Sequence, residues 1–326
     1  MYKMLLLVCF VFFLTHESLG YQLPISCKIK NKIGIASRSI SQLSSTLAIP
    51  FNYEENEKPL TLGPRVTIKG KILTLWGLGY GLVAFFMAFL VMPYMLVQAV
   101  LCDIMGNGNR RKTLDWVIHY WAKIVMKICF TRPILLGAEN LPPLNETVIY
   151  VPNHTSFMDI LVLSGFIPRP FKYLSKAEIK NIPVIGTAME LAKHVFLKRD
   201  NLKSTFEVTE TTIKRLVDGN SMVLFAEGTR SIDGRLKSFK KGAFQMAKEA
   251  KVRIVPVSIG NLHRWMPKDA LLPLTLIKDT YIQVHPPIET ADKTVSQLRA
   301  LCHEAVNSGL PDHQKSLTDK HSSDKP

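Results

Sequence analysis

The sequence predicts an α/β fold: a mostly parallel sheet with helices on both faces, preceded by an N-terminal membrane-associated helical motif. Three observations carry this. Beyond Glu139, strand-like apolar runs alternate with helical patterns, the order that builds parallel strands joined by crossover helices. No residue from Ile72 to Cys102 is charged. Just after that run, Asp115, His119, Lys123 and Lys127 recur every four residues, a single polar stripe on an otherwise apolar helix containing Trp116, Tyr120 and Trp121.

Taken in order, residues 1–52 read as a targeting leader in two layers. The first, about 1–20, has one Lys, an apolar run from Met4 to Leu14, and small residues at Ser18 and Gly20, which is a signal-peptide pattern too short to span a bilayer. The second, about 21–52, is basic (Lys28, Lys30, Lys32, Arg38), serine-rich and free of carboxylates, a transit-peptide composition. The two together resemble the bipartite leaders that enter plastids bounded by extra membranes. The alternative for the second layer is an ordinary basic linker.

Residues 53–135 form the membrane-associated segment. As one helix, Ile72–Cys102 would reach about 46 Å at 1.5 Å per residue, against a hydrocarbon core of about 30 Å. It is expected to tilt or to break at Gly77, Gly79, Gly81 or Pro93. Arg110, Arg111 and Lys112 then read as cations for anionic headgroups, and the striped helix as interfacial or packed against the membrane helices, with His119 a solvated member of its stripe. A buried core helix is the alternative for the uncharged run.

Residues 136–310 carry the α/β domain. Strand-like runs fall at 147–151, 171–174, 194–197, 221–226, 253–259 and 281–285. Helical patterns fall at 201–217, 239–250 and 294–306, the first closed by Gly219. The polar stretch 311–326 reads as a disordered tail.

The chain of 326 residues carries a net charge of +15, which suits anionic partners such as acidic substrates or a membrane face. Neither a zinc-type Cys/His spacing nor a recognition helix is present in the sequence, which weighs against nucleic acid. The five cysteines are scattered and odd in number, which indicates neither a disulfide framework nor a metal site.

Chemistry concentrates where strand-like runs end, since ligands of such sheets gather at the carboxyl ends of strands. The run "TVIYV" leads into "PNHTSFMD", with His154 in the turn and Asp159 five residues on. If the helix starts near Thr155 or Ser156, the Asp159 side chain folds back on His154 and fixes its tautomer, leaving the other ring nitrogen to take a proton from a hydroxyl. Alone, that pair reads equally as a capping Asp and a polar loop His. A second strand end supplies "FAEGTRS": Gly228 lets the backbone approach a ligand, Arg230 can fork onto a phosphate, and Glu227 orients that arginine or the turn. Lys240 and Lys241 add positive potential at a helix start. Base and anion site thus converge.

These blocks resemble those of the glycerolipid acyltransferase family. "NHTSFMD" is similar to its NH-x4-D block and "FAEGTRS" to its E-G-T-R block, while "VFLKRD" (195–200) and "IVPVSI" (254–259) resemble the other two, in order. From about Leu141 to Ile259 the similarity is greatest to plastid 1-acylglycerol-3-phosphate acyltransferases. The resemblance implies transfer of an acyl group from a thioester, acyl-CoA or acyl carrier protein, to the sn-2 hydroxyl of lysophosphatidate at a membrane, with no cofactor and no metal. It implies His154 as base, Asp159 as its orienter, and Glu227, Gly228, Thr229, Arg230, Lys198, Arg199 and, more weakly, Lys176 as phosphate-binding residues. Pro256 shapes the fourth block. Ala226 departs from the family, which usually has proline there; this loosens a turn and removes no functional group. The competing readings are the same chemistry on glycerol-3-phosphate or another lysophospholipid, a hydrolase using Ser156 or Thr155 as nucleophile, and a non-catalytic lipid-binding membrane protein.

Overall fold

The computed structural model describes residues 64–68, 70–197 and 202–317. The leader, Lys198 and Arg199 lie outside the described residues. A hairpin comes first: β1 (Arg65–Ile68) pairs antiparallel with β2 (Lys71–Thr74). Helix α1 (Leu75–Ile104) follows, its first turn capped by Thr74, whose hydroxyl accepts from the Gly77 N–H. Next come α2 (Lys112–Ile128), β3 (Ile134–Leu136), β4 (Val148–Pro152), α3 (Asp159–Phe166), β5 (Lys172–Lys176), α4 (Ile185–Leu191) and β6 (Val195–Leu197). The remainder is α5 (Leu202–Val217), β7 (Met222–Val223), α6 (Gly242–Glu249), β8 (Arg253–Gly260), α7 (Leu262–Trp265), β9 (Tyr281–Val284) and α8 (Val295–Ser308).

Seven strands form one sheet in the order β3-β9-β8-β4-β7-β5-β6, parallel except for the β8–β9 pair. The α/β expectation therefore holds, with helices on both faces. Strand β4 shows why. It lies between β8 and β7, and its side chains alternate: Val148 and Tyr150 enter one apolar cluster with α2 and α3, while Ile149 and Val151 enter a second with α5, α6 and α8. A strand buried on both faces reads as the continuous apolar run it is.

One sequence expectation, that the uncharged run tilts or breaks, is narrowed, and three are corrected. Helix α1 runs unbroken through Pro93, and Gly77 and Gly81 serve as contacts. A Cβ at Gly77 would lie 2.8 Å from the Pro273 carbonyl oxygen, and one at Gly81 2.9 Å from Leu272 Cδ1, so the missing side chains let the helix sit against the 272–274 loop. The α2 stripe faces inward over its first half. Asp115 and His119 are buried, Asp115 receiving Lys172 Nζ at 2.9 and 3.0 Å and His119 Nδ1 lying 2.7 Å from the Ser164 carbonyl; only Lys127 reaches full exposure. Arg111 is a structural cation: its guanidinium bonds both oxygens of Asp103 at 2.6 and 2.8 Å and donates to the Leu191 carbonyl. The tail is ordered as far as it is described. Buried Gln314 accepts from the Asn261 N–H through its side chain and from the Leu236 N–H through its carbonyl.

Helix α3 crosses α2 at backbone distance, because a Cβ at Gly165 would stand 2.9 Å from the Lys123 amide nitrogen. Gly165→Ala is expected to force α2 and α3 apart and cost about 1–3 kcal/mol, measured by chemical denaturation. An unchanged midpoint would show that the crossing relaxes freely.

Candidate active site

Strands β4 and β7 end side by side, and the turns that follow them meet. After β4 the chain does not enter the helix at once: α3 begins at Asp159, later than the expected Thr155 or Ser156. That delay lets the Asp159 carboxylate reach back over the turn. Its Oδ2 accepts from the Thr155 and Ser156 N–H groups at 2.8 and 2.9 Å and lies 2.8 Å from His154 Nδ1. Asp159 is fully buried, so those donors stabilise its charge. With Nδ1–H donated to the carboxylate, the neutral ring presents its other nitrogen as an acceptor. The ring stacks on Phe225 with centroids 3.9 Å apart and is partly open to solvent.

The turn after β7 grips the same residue by its main chain. The Ser231 N–H donates to the His154 carbonyl at 2.8 Å, and the His154 N–H donates to Glu227 Oε1 at 2.7 Å. Gly228 takes φ +77°, which suits glycine, and a Cβ there would lie 3.0 Å from Lys240 Nζ. Lys237 donates to the Arg230 carbonyl at 2.9 Å. Among the described residues the Arg230 guanidinium makes no hydrogen bond or ion pair, and Arg230 is half-buried on the turn that holds His154.

The structure sorts the expected site residues. His154, Asp159, Gly228, Thr229 and Arg230 come together. Lys176, at the exposed end of β5, reaches the same sheet edge two strands from β4. Lys198 and Arg199 lie outside the described residues, although β6 leads to that edge. Glu227 is placed differently. It is 4% exposed and bonded to the His154 main chain, and among the described residues it makes no hydrogen bond or ion pair with Arg230. Burial, reinforced by nearby Asp159, pushes its carboxyl up to about 8, and Oε2 has no partner among the described residues. A buried carboxyl facing inward is a poor phosphate ligand. Ser156, the rival nucleophile, donates to the Met266 carbonyl at 2.8 Å and accepts from the Met158 N–H, so its hydroxyl is committed away from the ring. Phe225 and Lys237 were not singled out from sequence; only the run of cations after Arg230 pointed towards Lys237.

A second serine–histidine contact, Ser258 Oγ to His285 Nε2 at 2.7 Å, is buried. There Ser258 donates to the Val306 carbonyl, so it accepts from the imidazole, the reverse of an activated nucleophile. An apolar cavity of about 80 Å³ lies between α1, α2, α3 and α4, lined among others by Val91, Met95, Trp121, Phe157, Ile160 and Met189. Among the described residues no group of His, Cys, Asp and Glu side chains is arranged to hold a metal.

Residues 133–260 match the model of the Acyltransferase family, and the chain belongs to that family. Its similarities are specific. It is 34% identical over 226 residues to a 1-acyl-sn-glycerol-3-phosphate acyltransferase of Chlamydomonas reinhardtii, covering 68% of this chain and 66% of that protein. It is 35% identical over 204 residues to the chloroplastic 1-acyl-sn-glycerol-3-phosphate acyltransferase LPAT1 of Arabidopsis thaliana, covering 62% and 54%. The chain thus spans about half to two thirds of the length of these relatives. The crystal structure of the 1-acyl-sn-glycerophosphate acyltransferase PlsC from Thermotoga maritima superposes with a TM-score of 0.60 at 26% identity, over 72% of this chain and 94% of that one.

Proposed function

We propose that the protein transfers a fatty acyl group from an acyl thioester, acyl-CoA or acyl carrier protein, to the sn-2 hydroxyl of 1-acylglycerol-3-phosphate, giving phosphatidate. The observation that supports this reading is the two-sided grip of the Glu227–Ser231 turn, which includes Arg230, on the main chain of the residue whose imidazole Asp159 braces. In this reading the His154 ring takes the proton of the glycerol hydroxyl as that oxygen attacks the thioester carbonyl. Asp159 holds the ring and steadies the imidazolium, and the thiolate departs with the proton that His154 returns. No enzyme nucleophile takes part, consistent with the committed Ser156 hydroxyl. Arg230, with Gly228 and Thr229, receives the substrate phosphate, supported by Lys176 and by Lys198 and Arg199.

The acyl chains belong in apolar surroundings. The cavity begins at Phe157, three residues from His154, and α1 is long and apolar enough to cross a membrane, with exposed Leu78, Leu82, Phe85, Phe86 and Phe89. We place the protein at a membrane, and in the plastid, on the leader composition and the chloroplastic relatives.

The test is the full-length protein in detergent with lysophosphatidate and each donor, glycerol-3-phosphate run in parallel, and products read by mass spectrometry. Phosphatidate is expected. Arg230→Ala should raise KM for lysophosphatidate about 10- to 100-fold, the worth of hydrogen bonds to a charged group. No phosphatidate with either donor would overturn the reading, and product from glycerol-3-phosphate alone would move the acceptor.

A further inference from the structure

Glu227 sits where a phosphate-binding carboxyl makes little chemical sense, and its contacts point elsewhere. Its Oε1 accepts the His154 N–H at 2.7 Å, while four residues later the Ser231 N–H closes on the His154 carbonyl at 2.8 Å. His154 is therefore stapled to the turn through both of its own main-chain polar groups, one bond from a side chain and one from the backbone. The backbone bond follows from the fold. The side-chain bond depends on one residue, and that residue is buried with Asp159 and Lys237 near by. Burial and repulsion from Asp159 oppose an ionised Glu227 and outweigh the attraction of Lys237, whereas the neutral acid keeps an acceptor oxygen for the His154 N–H.

We propose that Glu227 is a positioning residue, acting as a hydrogen-bond acceptor of fixed reach rather than as a charge, and that it locks the base-bearing turn after β4 to the Gly228–Arg230 turn after β7 so that the two halves of the site keep one separation. This deepens the acyltransferase reading and rests on it for its kinetic consequences. The separation of the His154 turn from the turn that holds Arg230 is then set by two bonds, of which only the Glu227 bond depends on a side chain, and a displacement of about 1 Å in such a site can cost about 100-fold in rate. A glutamine at 227 has the same length and an amide oxygen for the His154 N–H, and its NH2 takes the place of the unpartnered Oε2. An aspartate keeps the charge and loses the reach.

The experiment compares full-length Glu227→Gln, Glu227→Asp and Glu227→Ala with the parent protein, using kcat and KM for lysophosphatidate and hydrogen–deuterium exchange of the peptide spanning Asn153–Phe157. The expected ranking is Gln within about threefold of the parent in kcat, with Asp and Ala both about 10- to 100-fold lower. The His154 peptide should exchange faster in Asp and Ala and as slowly as the parent in Gln. The opposite ranking, with Asp active and Gln as poor as Ala, would make the charge the working feature and overturn the proposal. So would a rise in KM at constant kcat, which would return Glu227 to phosphate binding. The exchange readout needs no turnover. If the parent fails to make phosphatidate, the acyltransferase reading fails, and unprotected His154 exchange in Gln would still separately sink the staple. Should Ala not fold, the Gln–Asp comparison decides alone.

Discussion

His154→Ala is expected to lower kcat by about 10²- to 10⁴-fold, the usual worth of a positioned general base, while leaving KM for lysophosphatidate within a few-fold of the parent. The substitution is clean for a structural reason. Both main-chain bonds of residue 154, to Glu227 and from Ser231, survive in alanine, and the ring itself is partly exposed, so little packing is lost beyond its stacking on Phe225. Circular dichroism and the thermal midpoint should therefore stay near those of the parent. Ser156→Ala serves as the contrast: its hydroxyl bonds the Met266 carbonyl, so a modest loss of stability with activity retained is the expected outcome. Inactivity of the serine variant together with an active His154→Ala, or an acyl group trapped on the protein, would end the direct-transfer mechanism.

The second large effect concerns stability. Lys172 and Asp115 are both buried, and the ammonium donates to both carboxylate oxygens and to the Ala192 carbonyl. Burial opposes charge on each partner, raising the Asp115 carboxyl and lowering the Lys172 ammonium, while each holds the other ionised. Lys172→Met strands Asp115 beside His194, whose ring nitrogen lies 4.0 Å away, and is expected to cost about 3–5 kcal/mol in denaturant unfolding. Adding Asp115→Leu should recover most of that loss, since replacing both members of a buried pair by apolar groups is often neutral or better. A double variant no more stable than the single would show that the pair does more than satisfy itself.

The sequence carried the domain's plan because its strands are buried on both faces. Runs such as 148–151 and 254–257 have no alternative in a sheet of this kind, and a histidine and an arginine placed just after strand ends had to share an edge. What it hid was direction. Four-residue spacing put Asp115, His119, Lys123 and Lys127 on one face of α2, but spacing cannot say which way a face looks, and its answer lay in Lys172 on β5. Glycines in α1 read as breaks because the 272–274 loop that needs their bare backbone is almost 200 residues away. Strand β7 is only two residues long, since beyond the bond from the Leu224 N–H to the Tyr150 carbonyl the chain turns to form the site, and β3 is an edge strand too short to announce itself. Nor did any pattern mark Gln314, whose bonds tie it to Asn261, Gly234 and Leu236.

The position of β4 between β8 and β7 divides the enzyme into a tool side and an anvil side. Towards β7 and β5 lie the cations Arg230, Lys237 and Lys176; towards β8 and β9 polar groups bond within the protein, Asn153 through its amide to Ile259 and Ser258 to His285. On the proposed reaction, a change in the accepted headgroup is to be sought on the first flank, sparing His154, Asp159 and the Glu227–Ser231 turn that grips the base, with the second flank left as foundation.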